Sequence, residues 1–262
     1  MLKQAGITSF LLPIFVAATY IFLYAPIIVL IVFSFNANPL SYQWTTATMQ
    51  WYNALIHSQE AWNALYNSLI IASLSVCLSV LMGSLFVFFC KRSYLSRLVF
   101  LFYLNLAIPE IVLAVGLATF FYFFKVPLGI TTLVAGHTIL GLGYVIPIVY
   151  ARYKEFDQRL VEASLDLGAT SLQTFFKIVL PLSMPALLGA GMLVFIISFD
   201  DFVLSFFCAG ATTQTLPLYI FSLIRSGSSP LVSALSTILL MISSLLVILF
   251  SSLQIKKMGM LR

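Results

Sequence analysis

The stretch Glu162-Ala163-Ser164-Leu165-Asp166-Leu167-Gly168-Ala169, followed by Ile178-Val179-Leu180-Pro181, decides how this chain folds. It is the longest segment too polar for the interior of a bilayer yet too long for a turn between spans. Asp157 stands where it can cap a helix running to about Leu167, and Gly168 stands where a helix end calls for a left-handed residue. On that helix Arg159, Glu162 and Asp166 form one stripe, while Leu160, Val161, Ser164 and Leu165 form another. Thr170 and Gln173 have the spacing of a capping box, so a second helix starts after Gly168, and Pro181 marks the entry to the next span.

What flanks this segment is apolar. Hydrophobic residues make up 61% of the 262 residues and charged ones only 8%, a composition that excludes a soluble globular domain. Runs able to cross about 30 Å of hydrocarbon lie near Phe10–Phe35, Ala64–Cys90, Leu98–Phe124, Ile130–Tyr150, Pro181–Phe207 and Leu231–Leu253. A membrane β-barrel needs short alternating segments, whereas these runs are continuous and helix-sized. The expected fold is all-α, a polytopic membrane protein with six transmembrane helices. It forms one transmembrane domain over residues 1–262, with a cytosolic loop at about 152–180. The first run is too long for a signal-peptide core and lacks a small-x-small cleavage site, so it is expected to be retained.

Charge gives the orientation. With six spans, one side collects Lys3, Lys91, Arg92, Arg97, Arg152, Lys154, Arg159, Lys177, Lys256, Lys257 and Arg262, and the other only Lys125 and Arg225. Both termini and the Glu162 loop are therefore expected in the cytosol. The net charge of +5 is mostly this topology signal. Dispersed over short loops, the basic residues suit lipid headgroups and give no nucleic-acid surface.

Three acids sit inside the spans. Glu110 follows Pro109 in the middle of the third run, where the proline removes a backbone hydrogen bond and opens the helix. An ionised carboxylate facing lipid costs on the order of 3 kcal/mol, so Glu110 must face a partner or water. Asp200 and Asp201 end the fifth run. Neighbours on a helix point about 100° apart, so one is expected to look into a water-filled cavity while the other bonds a neighbouring helix or backbone. No basic residue is expected at comparable depth, which favours a cationic cargo and repels an anion.

Other features read as packing. Ser75, Ser79 and Gly83 recur every four residues as a small face for a neighbouring helix. His137 is expected to pack between helices, with no His or Cys at metal-ligand spacing beside it. Cys77, Cys90 and Cys208 read as small apolar residues. The outer segment to about Asn63 lacks Lys and Arg and carries Trp44, Trp51, Tyr52 and Trp62. It is either an interfacial aromatic belt, or Trp51 lines the outer mouth with its face toward a cation. No Gly is followed by Lys, so the chain has no Gly-x-x-x-x-Gly-Lys-Ser/Thr phosphate cradle.

Glu162-Ala163-Ser164, Gly168 and Ile178-x-Leu180-Pro181 resemble the EAA loop of ABC importer permeases, with Ser164 in place of the family's second alanine. Tyr24-Ala-Pro-Ile-Ile, Asn36, Trp51-Tyr52, Asn67-Ser68, Pro109-Glu110-Ile111, Ser198-Phe199-Asp200-Asp201 and Leu216-Pro217-Leu218-Tyr219 extend the likeness. Together they resemble the C-type permease subunits of spermidine/putrescine importers, members of the binding-protein-dependent transport system inner-membrane component family. Where that family usually has Asp after the third-span proline, this chain has Glu110.

The resemblance implies a MetI-like, type I importer permease in a bacterial cytoplasmic membrane. Glu162, Ala163, Ser164, Asp166 and Gly168 would form a coupling helix that docks on an ATPase, and Trp51, Glu110, Asp200 and Asp201 would line the polyamine pathway. It also implies a homologous second permease subunit, a cytosolic ATPase dimer holding ATP and Mg, and an extracytoplasmic polyamine-binding protein. This chain itself would hold no cofactor and do no covalent chemistry.

Two rivals remain at this stage. A stand-alone secondary carrier would also want intramembrane acids, but it needs no docking loop, and no inverted halves are visible. An intramembrane aspartyl hydrolase needs two carboxylates at one water, and only Glu110 placed beside one of the aspartates would favour it.

Overall fold

A computed structural model of the protein describes residues 5–39, 43–90, 92–227 and 229–259. Lys3, Lys91 and Arg262 of the charge pattern, and both chain ends, lie outside these residues. The helices in chain order are α1 (Ala5–Phe33), α2 (Gln50–Ile56), α3 (Gln59–Phe89), α4 (Arg92–Ala107), α5 (Glu110–Phe123) and α6 (Ile130–Glu155). They continue with α7 (Arg159–Asp166), α8 (Ser171–Thr174), a π turn (Phe175–Val179), α9 (Leu180–Asp200), α10 (Val203–Cys208), α11 (Leu216–Arg225) and α12 (Ser229–Gly259). Among the described residues four helical stretches are long and apolar enough to cross a membrane, and the α4–α5 pair makes a fifth if counted as one span. The all-helical membrane fold is as expected from composition.

The chain divides into two compact units, Met1–Ser58 with Ile220–Arg262, and Gln59–Tyr219. In the first, α12 packs on α1 and α2. The loop between α1 and α2 is organised by Asn36, which is fully buried. Its Nδ2 donates to Gln43 O at 2.8 Å, and its Oδ1 accepts from the Thr45 and Asn38 backbone N–H groups. The amide side chain adds these bonds to the antiparallel bridge between Asn36 and Ala47, where Ala37 N–H donates to Thr46 O at 2.9 Å and Thr48 N–H to Phe35 O at 2.7 Å.

In the second unit α3, α6 and α9 pack on one another. The small face foreseen on α3 is the seam. Ser75 Oγ donates to Val134 O at 3.3 Å and Ser79 Oγ to Thr138 O at 3.2 Å. A methyl group on Gly83 would lie 2.7 Å from Val145 Cγ1. Small residues bring the backbones close and hydroxyls spend their protons across the seam, as expected where lipid supplies no hydrophobic drive between helices. Val87, Val145, Ile146, Val149, Leu187, Ala190 and Val194 fill the core beside it.

Two expected spans are not straight. The run 98–124 is α4 and α5 bent by 104° at Ile108-Pro109. Pro109 has φ −55° and ψ 131°, a conformation that ends one helix and starts the next, and its carbonyl accepts the Val112 N–H at 2.9 Å. The run expected at 181–207 instead begins at Ser171 and ends at Asp200. Pro181 therefore lies within a helical stretch and not at its start. The helix passes through it because the π turn just before it widens the ladder where the proline ring and missing N–H would break an α-helix. The short helices α2 and α11 lie in segments expected as outer loops.

Candidate functional site

The unwound step between α9 and α10 positions the acids. Asp201 is extended, with φ −69° and ψ 122°, so the two adjacent carboxylates diverge. Asp200 is exposed. Asp201 is only 5% exposed, and its oxygens accept the Leu204 N–H at 3.3 Å and the Ser205 N–H at 2.8 Å. Asp201 thus caps α10, satisfying donors that the first turn of a helix leaves without partners. Of the division expected of the pair, the backbone-bonded acid is Asp201.

Glu110 opens α5, immediately after the bend, and is exposed. Its carboxyl group neighbours that of Asp201. From α6, His137 Nε2 lies 3.6 Å from Asp201 Oδ2, both side chains being buried. The absence of Lys and Arg at this depth had left Asp201 with no basic neighbour; His137 supplies one. Its spacing to the aspartate, more than sixty residues along the chain, carries no signal in the sequence. A feature that hinted at it is the apolar setting, in which a buried imidazole needs a polar partner.

Glu110 beside Asp201 meets the proximity condition for a carboxylate-pair hydrolase. The chemistry does not follow, because Asp201 is buried and engaged as a helix cap, so it does not present a free oxygen to a water shared with Glu110. Among the described residues no group of three or more His, Cys, Asp or Glu side chains is arranged to hold a metal ion.

Trp51 belongs to the other unit. It is half-buried, and its Nε1 donates to Asn36 O at 2.7 Å. Its neighbour Tyr52 shares a 2.6 Å hydrogen bond with Ser34 Oγ. The indole N–H is therefore spent on the loop that Asn36 organises, and only the ring face is left for other contacts.

The polar segment after α6 forms as expected. Asp157 Oδ1 accepts the Arg159 N–H at 3.0 Å at the start of α7. Gly168 ends the helix with φ +86°, a conformation in which a Cβ is costly. Thr170 and Gln173 form the reciprocal capping box, at 3.3 Å and 2.9 Å. On α7 no residue is fully buried. Glu162, Ala163, Asp166 and Gly168 are exposed, and Leu167 is 88% exposed. Ser164 is the exception, sharing a 3.0 Å hydroxyl–hydroxyl bond with Thr174, which is fully buried. Arg152 Nε donates to Leu182 O at 3.3 Å, tying the end of α6 to the start of α9 at the base of the segment.

A family model described as "Binding-protein-dependent transport system inner membrane component" matches residues 75–257. The chain is 38% identical over 240 residues to the "Spermidine/putrescine transport system permease protein PotC" of Escherichia coli (strain K12), covering 89% of this chain and 90% of that one. It is 31% identical over 231 residues to the "Putrescine transport system permease protein PotI" of the same strain, covering 84% and 82%. Among solved structures, a bacterial ABC transporter involved in the import of the acidic polysaccharide alginate superposes with a TM-score of 0.73 at 15% identity, covering 97% of this chain and 98% of that one. That last likeness is one of fold.

Proposed function

Because the chain belongs to the family of binding-protein-dependent transport system inner membrane components, we propose that it is the permease subunit of an ATP-driven importer whose cargo is a polyamine. The observation that carries the cargo is the 38% identity, across nine-tenths of its length, to a spermidine/putrescine permease. The acids agree with it. Glu110 and Asp200 are exposed carboxylates beside a break in the helices, where attraction for an ammonium group is screened less than in bulk water. Trp51, in its own unit, keeps a ring face of the kind that holds an ammonium group.

The polar segment supports a coupling role. α7 offers Glu162, Ala163 and Asp166 uncovered. Through Ser164 it is bonded to the continuous helical stretch Ser171–Asp200, whose other end carries the acids. Over 30 residues that stretch is about 45 Å long, enough to carry a push on α7 across the hydrocarbon. In this reading two copies of a cytosolic ATPase bind ATP and Mg, close, and move α7, and the pathway switches between outward and inward access. A homologous second permease forms the other half of the pathway, and an extracytoplasmic protein delivers the polyamine. Six crossings, with both termini and α7 in the cytosol of a bacterial inner membrane, complete the arrangement.

The test is ATP-dependent uptake of labelled spermidine into proteoliposomes holding the chain with its second permease and ATPase, with unlabelled putrescine as competitor. Uptake is expected to require ATP and to be lost in Glu162→Ala together with ATPase assembly. A complex that hydrolyses ATP but carries neither polyamine would leave the permease and remove the cargo. Uptake that persists without ATP and collapses with an ion gradient would favour a secondary carrier.

A further inference from the structure

Asp200 and Asp201 are adjacent acids, yet the fold gives them different surroundings. We infer that Asp201 and His137 form a positioning pair that fixes α10 against α6, so that cargo is contacted by Glu110 and Asp200 and not by Asp201. This inference rests on the permease reading above and assigns the acids within it.

The argument is one of atoms already committed. Asp201 accepts two backbone N–H groups of the first turn of α10, stands 3.6 Å from His137 Nε2 and has the Glu110 carboxyl beside it on its open side. His137 is 1% exposed, neither of its ring nitrogens has a hydrogen-bond partner among the described residues, and the Asp201 carboxylate is the acid that faces it. A buried imidazole with one carboxylate in reach is held by that carboxylate, and a buried carboxylate with two amides and an imidazole has little left to offer a cation. The rest of α10 is fastened to the same helix. A methyl on Gly136 would lie 2.8 Å from Leu204 Cδ2, and Thr132 Oγ1 lies 2.8 Å from Cys208 O. α10 is thus clamped at both ends to α6. Glu110 and Asp200, by contrast, are exposed and on opposite sides of the breaks that start α5 and end α9.

Kinetics of spermidine uptake by the reconstituted complex separate the two roles. Asp200→Asn is expected to raise KM with little change in Vmax. His137→Leu is expected to lower Vmax by roughly tenfold or more at unchanged KM, because it replaces the one polar side chain that α6 turns toward the buried Asp201 carboxylate with an apolar one. His137→Gln, whose amide can donate to Asp201, is expected to recover most of that loss. A rise in KM for Asp201→Asn matching that of Asp200→Asn, or no change in either constant for His137→Leu, would overturn the inference.

A second measurement does not depend on the cargo. With Cys77, Cys90 and Cys208 replaced, a cysteine in place of the buried Ser205 is expected to resist a water-soluble thiol reagent in the intact complex and to react several-fold faster once His137→Leu is added. Equal reactivity with and without that substitution would show that His137 does not hold α10, whether or not spermidine is transported.

Discussion

At Gly141 a single hydrogen atom decides how closely three helices meet. An added methyl would collide with Ser79 Oγ and lie 2.9 Å from Val194 Cγ1, so it presses on α3 and α9 at once. Ser79 cannot turn aside without giving up its bond to Thr138 O. Gly141→Ala is therefore expected to destabilise the protein by about 1–3 kcal/mol, read as a lower thermal midpoint of the detergent-purified complex. Gly189→Ala is the control, because nothing lies within 4 Å of its added methyl. In a helix interior that change is expected to stabilise slightly, by roughly 0.5–1 kcal/mol. Equal midpoints for the two variants would show that the seam yields more readily than its packing implies. The same scale marks what a residue list conceals: Asp200 and Asp201 are identical letters, and the turn of backbone between them makes one exposed and the other a helix cap.

Among the elements, the polar segment was the most legible, because every signal in it is local. Asp157, Gly168, Thr170 and Gln173 act on neighbours one to four residues away, and each is found in its expected role. The bend at Pro109 was legible for the same reason, since proline imposes its geometry on its own turn. The π turn was not. Nothing in Phe175-Phe176-Lys177-Ile178-Val179 demands it, although it stands between the cap at Thr170 and Pro181. The His137–Asp201 pair was illegible because it joins helices distant in sequence. A test at this scale concerns the corner between α7 and α8. Thr170→Ala removes the side-chain oxygen that accepts the Gln173 N–H, a loss of about 1 kcal/mol. Amides of the α8 turn are then expected to exchange with solvent about fivefold faster, while those of α6 keep their rates. Unchanged exchange at Gln173 would mean that the cap contributes nothing to holding the corner.

For the whole molecule the question is which end of the spans faces the cytosol, and charge and helix geometry meet at α6. Its 26 residues reach about 39 Å at 1.5 Å each, so the turn at Lys125–Gly129 before it and the segment holding α7 after it lie at opposite ends of a membrane-length rod. Arg152, Lys154, Arg159 and Lys177 gather at the α7 end, and Lys125 stands in the turn at the other. Lys and Arg are retained on the cytosolic side during insertion, so this asymmetry predicts that α7 is inside and the Lys125 turn outside. Two exposed positions report it. In a chain with its native cysteines replaced, Val126→Cys is expected to react with a membrane-impermeant maleimide in intact spheroplasts, and Leu167→Cys only after permeabilisation. The reverse pattern would invert the topology and place α7 where no cytosolic ATPase can reach it, removing the coupling role with the orientation. Labelling of both positions from one side would mean that α6 does not cross the membrane.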